Sequence, residues 1–471
     1  MNSFRPAYHF RPARNWMNDP NGPIAVNGEY HLFYQYNPNG DEWGTIHWGH
    51  AKSKDLVHWE HLPVALYPSE ERGEQHCFSG CTVVHEGRPA ILYTSIGPGD
   101  RNPTTGAQQW IAYGDAEWLK WEKPGEGINP ILTSDIHGDL DIREWRDPYV
   151  WKREDGLWHM VCGGTHGGRG CAVLYRSPDL LKWEFLGIAA EGEARVWECP
   201  NLFRLGGKWV LTYSPDDADN RVRYRVGELT ENFRFVAERE GILDYGGREG
   251  FYAATTFEDD RGRRILLGWM PDSARGTSSL IRGWSGVHAL PRVLTLDPDT
   301  LRLRAEPIPE LNVLRGRHWK RGPFAVTGEV ETDIAGQSLE LSLVLKTDEP
   351  NEGGIGLRLF RSPDGEEETV LEIDRSRKQA VLHRAKSSLD AGTHRHALAA
   401  DLPQDGEGDL RLRLFLDRST LEVFINEEVC LSARVYPMRE DSSRVSLFSF
   451  GSGGLEVASL EAWVMKPVWE E

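Results

Sequence analysis

No uninterrupted apolar run in this chain is long enough to span a bilayer, and the first residues carry no apolar core of the kind an export signal needs. Cysteine is scarce, with six in 471 residues at positions 77, 81, 162, 171, 199 and 430. Without an export signal, these are expected as free thiols in a reducing cytoplasm rather than as a disulfide framework. Basic charge is also short. Lys and Arg number 54 against 72 Asp and Glu, a formal net charge of −18. Nucleic acid and anionic membrane surfaces are excluded as natural partners, because their phosphates would be repelled. A neutral polyol such as a sugar meets no such barrier.

Glycine (49) and tryptophan (18) are plentiful, and short apolar runs alternate with turn residues. That texture suits many short strands rather than long helices. At 471 residues the chain is too long for one ordinary core, so two domains are expected. Five apolar strand-like runs recur in the first 300 residues: Tyr30 to Tyr36, Ala90 to Ser95, Leu157 to Cys162, Trp209 to Tyr213 and Arg264 to Trp269. A phrase, Ser53-Lys54-Asp55-Leu56-Val57-His58-Trp59-Glu60, returns as Ser177-Pro178-Asp179-Leu180-Leu181-Lys182-Trp183-Glu184, with a weaker copy at Asp115 to Glu122. Trp59, Trp121 and Trp183 stand 62 residues apart and read as packing residues. Strand-rich units of this length, about four strands each, are the signature of β-propeller blades. Residues 1–300 are therefore read as a five-bladed β-propeller and 301–320, with Pro307 and Pro309, as a linker. From 321 to 471, period-two runs such as Leu410-Arg411-Leu412-Arg413-Leu414 predict a β-sandwich.

Three acidic signatures open the first, third and fourth units: Trp16-Met17-Asn18-Asp19-Pro20-Asn21-Gly22, Trp145-Arg146-Asp147-Pro148 and Trp197-Glu198-Cys199-Pro200. Each alone makes an ordinary turn. Their recurrence at one place in successive repeats, each just after a tryptophan, favours a common site at one end of the propeller tunnel. Carboxylates, flat rings on which a sugar stacks and proline-fixed backbone are the parts of a glycoside-cleaving pocket. Pro20 and Pro148 are expected to hold Asp19 and Asp147 extended and pre-aimed. Gln35, Trp43, Phe78 and Ser79 follow as pocket lining. His47 and His50 lack a third ligand at zinc-like spacing and are read as local hydrogen-bonding groups. Gly163 to Gly170 lacks the Gly-Lys-Ser/Thr ending of a phosphate loop and is read as a flexible loop near the tunnel mouth. Cys199 is read as a buried structural thiol.

At these residues the chain resembles glycoside hydrolase family 32, the invertases, inulinases and levanases. The ordered series carries the resemblance: Trp16 to Gly22, Phe33 to Pro38, Trp43-Gly44, Phe78-Ser79-Gly80, Arg146-Asp147-Pro148, Glu198-Cys199-Pro200, and Leu416 to Phe424 in the second domain. The resemblance implies a propeller with a sandwich and a retaining β-fructofuranosidase acting on sucrose or short β-fructans. It implies Asp19 as nucleophile, Glu198 as general acid/base and Asp147 as transition-state stabiliser. Asn18, Gln35, Trp43, Phe78, Ser79, Arg146, Tyr252 and Trp284 are expected to bind substrate. No metal or organic cofactor is required. The two carboxyls of Asp19 and Glu198 are expected about 5–5.5 Å apart, with Glu198 raised in pKa so that it starts protonated. Two departures from the family pattern bear on the leaving-group side: a longer Asp244 to Ala253 stretch, and Val293 where an acid is common. Fructosyl transfer to a sugar acceptor and a non-catalytic fructan-binding propeller stand as alternatives.

Overall fold

The five apolar runs become the second strands of five antiparallel sheets. The structure, a computed structural model, describes residues 4–97, 107–125, 127–272, 283–346, 353–402, 408–451 and 455–469. Blade I consists of Asn15–Val26, Glu29–Asn37, His47–Ser53 and Trp59–Leu66. Blade II runs from His76–His85 to Trp121–Glu122, blade III from Ile142–Lys152 to Glu184–Gly192, and blade IV from Val196–Leu205 to Phe235–Ile242. Blade V holds Tyr252–Glu258, Arg264–Met270, Arg292–Leu296 and Leu303–Pro307. The first strands of the five blades adjoin one another in a closed ring, and Trp284–Ser285 pairs in parallel with Asn15–Trp16 where the ring shuts.

Repetition in the sequence reflects repetition in the backbone. Leu56, Trp118, Leu180, Phe233 and Leu301 each have φ between +55° and +66° in the turn before the fourth strand of their blades. In three of these turns a tryptophan ring N–H, from Trp59, Trp121 or Trp183, donates to the carbonyl three residues back. A left-handed residue in that turn is costly for a side-chain-bearing residue, so the surrounding hydrogen bonds must hold it. Asp55 and Asp179 do so by accepting from backbone N–H groups of the same turn.

The stretch expected as a linker, 301–320, is structured throughout. Leu303–Pro307 completes blade V, Pro309–Leu314 forms a short 3₁₀ turn, and Arg315–Arg321 already pairs with Leu455–Met465 in the second domain. That domain packs two antiparallel sheets, one of Arg315–Arg321, Phe324–Val326, Leu455–Met465, Ser338–Leu345, Leu410–Asp417, Thr420–Ile425 and Val429–Arg434. The other sheet holds Glu329–Ala335, Arg444–Gly451, Gly353–Arg361, Glu368–Asp374, Gln379–Lys386 and Leu398–Asp401. Alternate residues, such as Leu412, Leu414 and Leu416, meet in a separate core between them.

Propeller and sandwich are joined by buried charge. Arg292 of blade V reaches Asp244 at 2.8 Å and Glu422 of the sandwich at 2.6 Å, and all three side chains are fully buried. His9, also buried, bonds Glu422 and Asp417 at 2.9 Å each. Burial depresses the His9 imidazole, but its hydrogen bonds to Asp417 and Glu422 outweigh that and leave its pKa raised. Removing one partner from such a network leaves an uncompensated buried charge, at a cost of about 3–5 kcal/mol.

Two sequence expectations are corrected by packing. The tryptophans that precede the acids are core rather than sugar platforms: Trp16, Trp145 and Trp197 are all buried, and Trp197 stacks on Tyr213 at 3.9 Å. The glycine run from 163 to 170 is not a loop but the hairpin joining two strands of blade III. Its glycines let blade IV approach. A Cβ on Gly163 would stand 2.0 Å from the Trp197 carbonyl oxygen, and one on Gly170 2.2 Å from the Trp197 ring. We expect Gly163→Ala to destabilise the fold by about 1–3 kcal/mol in chemical denaturation, through overpacking between blades. Gly125→Ala, where the space is open, should be neutral within about 0.5 kcal/mol.

Candidate active site

All five inner strands carry the same irregularity at the same height. Pairing with the second strand breaks between Met17 and Pro20, Cys77 and Gly80, Arg146 and Tyr149, Glu198 and Asn201, and Tyr252 and Thr255. In each case two inner-strand residues oppose one on the partner, a bulge that bends the strand and re-aims its side chains. Asp19, Ser79, Asp147, Cys199 and Ala253 all sit within these bulges. Asp147, Cys199 and Ala253 have φ of +63°, +47° and +49°. Asp147 is thus left-handed, not extended as Pro148 alone suggested; the bulge overrides the local preference, at a cost of order 1–3 kcal/mol.

Hydrogen bonds at this height stitch each blade to the next. Gln35 of blade I donates to Ser79 of blade II at 2.6 Å, and Ser79 donates to Asp19 Oδ2 at 2.5 Å. Thr94 of blade II accepts from the Asp147 N–H at 2.9 Å, and the Cys199 N–H of blade IV donates to Asp147 Oδ2 at 2.8 Å. Asn201 accepts from Thr256 N–H of blade V at 2.6 Å, and His288 bonds the Asn18 carbonyl at 2.8 Å, closing the circle.

Three carboxylates converge here on a cavity of about 750 Å³. The Cys199 thiol lies 3.6 Å from both Asp19 Oδ2 and Asp147 Oδ2, and Glu198 is its chain neighbour. Burial, with Asp147 and Glu198 nearby, pushes Asp19 up to about 7 against the opposing bond from Ser79. Asp147 is pushed up to about 6 by burial, partly offset by Arg146. Burial and the same acids push the Cys199 thiol well up, leaving it inert as a nucleophile.

Glu198 departs from expectation. Burial alone would raise it, yet it is held below the ordinary glutamate value. Arg146 bonds Oε1 at 2.7 Å, while Arg248 bonds Oε2 at 3.0 Å and Tyr252 donates to the same oxygen. Two guanidiniums and a phenol outweigh desolvation. Asp19 therefore holds a proton more readily than Glu198 does.

Of the expected substrate-binding residues, Asn18, Gln35, Trp43, Phe78, Arg146 and Tyr252 line the cavity. Trp43 is half exposed and supplies the flat face that the buried tryptophans do not. Asn18 Oδ1 is buried and has no partner among the described residues, an acceptor ready for a ligand hydroxyl. Ser79 does not line the cavity; it is buried and acts through Asp19. Trp284 is misplaced by the sequence reading. It is buried beside Asn15 at the ring closure, near Arg5 and Arg434.

Sequence reasoning missed Glu144, Arg195, Asp216, Arg248 and Trp269, which also line the cavity. Glu144 and Arg195 lie two and three residues before motif positions. Asp216 and Trp269 are visible only through cross-strand pairing with Val196 and Tyr252. His47 and His50 bond locally, to Thr45 and His31. One other cluster, Glu249 with His394 and His396, brings metal-type donors within 4.8 Å of one another. The buried Arg384 guanidinium already bonds both Glu249 and His396 there, so the position of a cation is filled.

Because Asp19 has a folded-state pKa near 7 against 3.8 when free, the neutral form stabilises the fold and ionisation opposes it. The stability this group contributes in acid is lost as pH rises through about 7. We expect Asp19→Asn to raise the melting temperature, with the gain over wild type growing from pH 4 to pH 7 and levelling above. A gain independent of pH would contradict the assignment.

The comparisons agree with this geometry along the whole chain. The model of the glycosyl hydrolases family 32 N-terminal domain matches residues 9–307, and that of the family 32 C terminal matches 310–464. A cell wall isozyme of β-fructofuranosidase from Zea mays is 34% identical, over 98% of this chain and 90% of its own length. Sucrose-6-phosphate hydrolase of Escherichia coli is 32% identical over 98% of this chain and 95% of its own. Among solved structures, a fructan 1-exohydrolase IIa from Cichorium intybus in complex with 1-kestose superposes with a TM-score of 0.88 at 26% identity, covering 99% of this chain and 98% of that one. A Bombyx mori β-fructofuranosidase in complex with sucrose gives 0.80 at 31% identity, covering 100% and 96%. A ring of five bulged strands with three carboxylates at its mouth, backed by a sandwich and matched from end to end, makes this chain a member of glycoside hydrolase family 32.

Proposed function

We propose that this enzyme releases fructose from sucrose or short β-fructans by double displacement, through a fructosyl-enzyme intermediate. The observation that carries the reading is the gathering of Asp19, Asp147 and Glu198 from three blades around one cavity. Among the described residues, the hydrogen bonds Asp19 receives from Ser79, Gln35 and Cys199 all go to Oδ2. Oδ1 is the oxygen left to attack the anomeric carbon. Glu198 donates a proton to the departing glycosidic oxygen, and then takes one from the water that cleaves the ester, so configuration is retained. Asp147 and the unpartnered Asn18 Oδ1 accept from fructose hydroxyls.

The active form carries one proton on the Asp19–Glu198 pair. At rest that proton sits on Asp19; the arrival of substrate has to move it to Glu198. Such a pair titrates as a unit with two macroscopic values. Sucrose is favoured over a phosphorylated sugar because the mouth arginines are already committed. Arg146 pairs with Glu144 and Glu198, Arg195 with Glu144 and Asp216, and Arg248 with Glu198 and Asp216. No helix among the described residues is long and apolar enough to cross a membrane. All six cysteines are buried and unpaired, which supports a reducing, cytoplasmic compartment.

Incubation with sucrose, inulin and levan in parallel should yield free fructose as the main product. Trisaccharides dominating at high sucrose would instead indicate transfer, and binding without release a lectin-like role. Glu198→Gln should lower kcat by about 10²–10⁴-fold, and Asp19→Asn by at least as much; retention of a substantial fraction by Asp19→Asn sinks the nucleophile assignment. The profile of kcat/KM should be bell-shaped, falling above about pH 7 as the Asp19 proton is lost. Its acid limb should lie below the ordinary glutamate value, where Glu198 takes up a second proton.

A further inference from the structure

A turn within the Asp244 to Ala253 stretch faces the active site on one side and the sandwich on the other. Gly247–Glu249 is a single 3₁₀ turn. From it Arg248 points to Glu198 and Glu249 points to the second domain, so neighbouring side chains bind opposite partners.

On the site side, Glu198 is gripped by two arginines of different character. Arg146 is 8% exposed and fixed by the Glu144 carbonyl at 2.8 Å and carboxylate at 3.2 Å. Arg248 is 45% exposed, lies over the Tyr252 ring at 4.5 Å, and already reaches Asp216 at 3.5 Å through its other terminal nitrogen. Arg248 is thus the partner that can leave. Glu198 Oε2 is the oxygen it covers, together with the Tyr252 hydroxyl. A guanidinium N–H pointing at Oε2 disfavours a proton there.

On the sandwich side, Glu249 is held by Arg384 at 2.9 Å, His396 at 2.9 Å and His394 at 3.2 Å. The base of the turn is equally constrained. Asp244 accepts from the Ser432 N–H at 3.0 Å and from Gly246 N–H at 2.8 Å. A Cβ on Gly250 would stand 1.8 Å from the Ser432 carbonyl oxygen, so the turn backbone lies directly on the sandwich strand Val429–Arg434. The sandwich therefore fixes the turn backbone and Glu249, while the Arg248 side chain is held only from the site side, by Glu198, Asp216 and Tyr252.

We propose that this turn is a tether through which the sandwich positions Arg248 as a displaceable latch on Glu198. Arg248 holds Glu198 Oε2 at 3.0 Å. When the leaving-group sugar enters, Arg248 releases Glu198, keeps Asp216, and frees Oε2 to hold the proton that goes to the glycosidic oxygen. Glu249 sets how far the latch travels. Arg248 and Glu249 are positioning residues, and the inference rests on Glu198 being the acid/base proposed above. The groups facing Glu198 are Arg146 and Asp147 from blade III, Arg248 and Tyr252 from blade V, and Asp19 from blade I. Arg248 is the one anchored by the second domain.

The test is a double-mutant cycle with Arg248→Met, Glu249→Ala and the pair, read as full pH profiles of kcat/KM on sucrose. Arg248→Met should move the acid limb to higher pH by about half a unit or more, since Glu198 loses a cation. Glu249→Ala should move the same limb, and the pair should match Arg248→Met alone, because Glu249 acts through Arg248. Glu249→Gln, which keeps one acceptor for Arg384, should restore most of the wild-type profile. Additive shifts in the pair, or a Glu249→Ala change confined to melting temperature, would overturn the tether. A wild-type enzyme inactive on every fructoside, or a Glu198→Gln variant of full activity, would instead overturn the functional reading on which it rests.

Discussion

Everything at the active site depends on a two-for-one bulge repeated in five inner strands. A regular strand alternates its side chains between faces with a period of two, and an inner strand that obeyed this rule would turn its acid into a blade interface. One extra residue breaks the alternation and swings the side chain to the tunnel mouth. The strain at Asp147, Cys199 and Ala253 is the cost of that redirection. It is held by the same interblade hydrogen bonds that carry the chemistry: Thr94 to the Asp147 backbone, Cys199 to the Asp147 carboxylate, Ser79 to Asp19. Closing the ring and aiming the acids are a single structural event.

Electrostatics completes the design. Burying three carboxylates beside one another raises two of them, and the arginines hold the third, Glu198, below its ordinary value. Arg146, the chain neighbour of Asp147, links Asp147 to Glu198. The sandwich adds a second tier. Its Glu422 and Asp417 hold Arg292 and His9, and its Arg384 holds the turn that carries Arg248. The second domain contributes no lining residue to the cavity among those described, yet it fixes the turn that brings Arg248 to the cavity wall.

Much of this was legible in the sequence, for reasons that can be named. The blade spacing showed because each blade has the same left-handed turn before its last strand, and in blades I and III the Ser-x-Asp-Leu phrase makes it. The sandwich showed because strands with one wet face must alternate. The carboxylates showed because the proline lies in or just after the bulge: Asp147-Pro148 and Cys199-Pro200 are the bulge pairs, and Pro20 follows Asp19 directly. What stayed hidden depends on which way a side chain faces. Trp16, Trp145 and Trp197 precede the bulge and point into the blades, whereas Trp43 projects into the cavity. Trp284 reads like a pocket residue but pairs at the ring closure. The ionisation of Glu198 was misjudged because Arg248 reaches it from 50 residues away, a contact no local motif records. The linker was misread because Pro307 and Pro309 flank a strand end and a 3₁₀ turn, both of which accept proline.

The most direct measurement of the central claim is to trap the intermediate. Rapid acid quench of the enzyme turning over sucrose, followed by peptide mapping by mass spectrometry, locates the fructosyl ester. Attachment to Asp19, in the peptide that contains Trp16 to Gly22, is the result expected. Attachment to Glu198 or Asp147, or inversion of the released fructose with no ester formed, would contradict it.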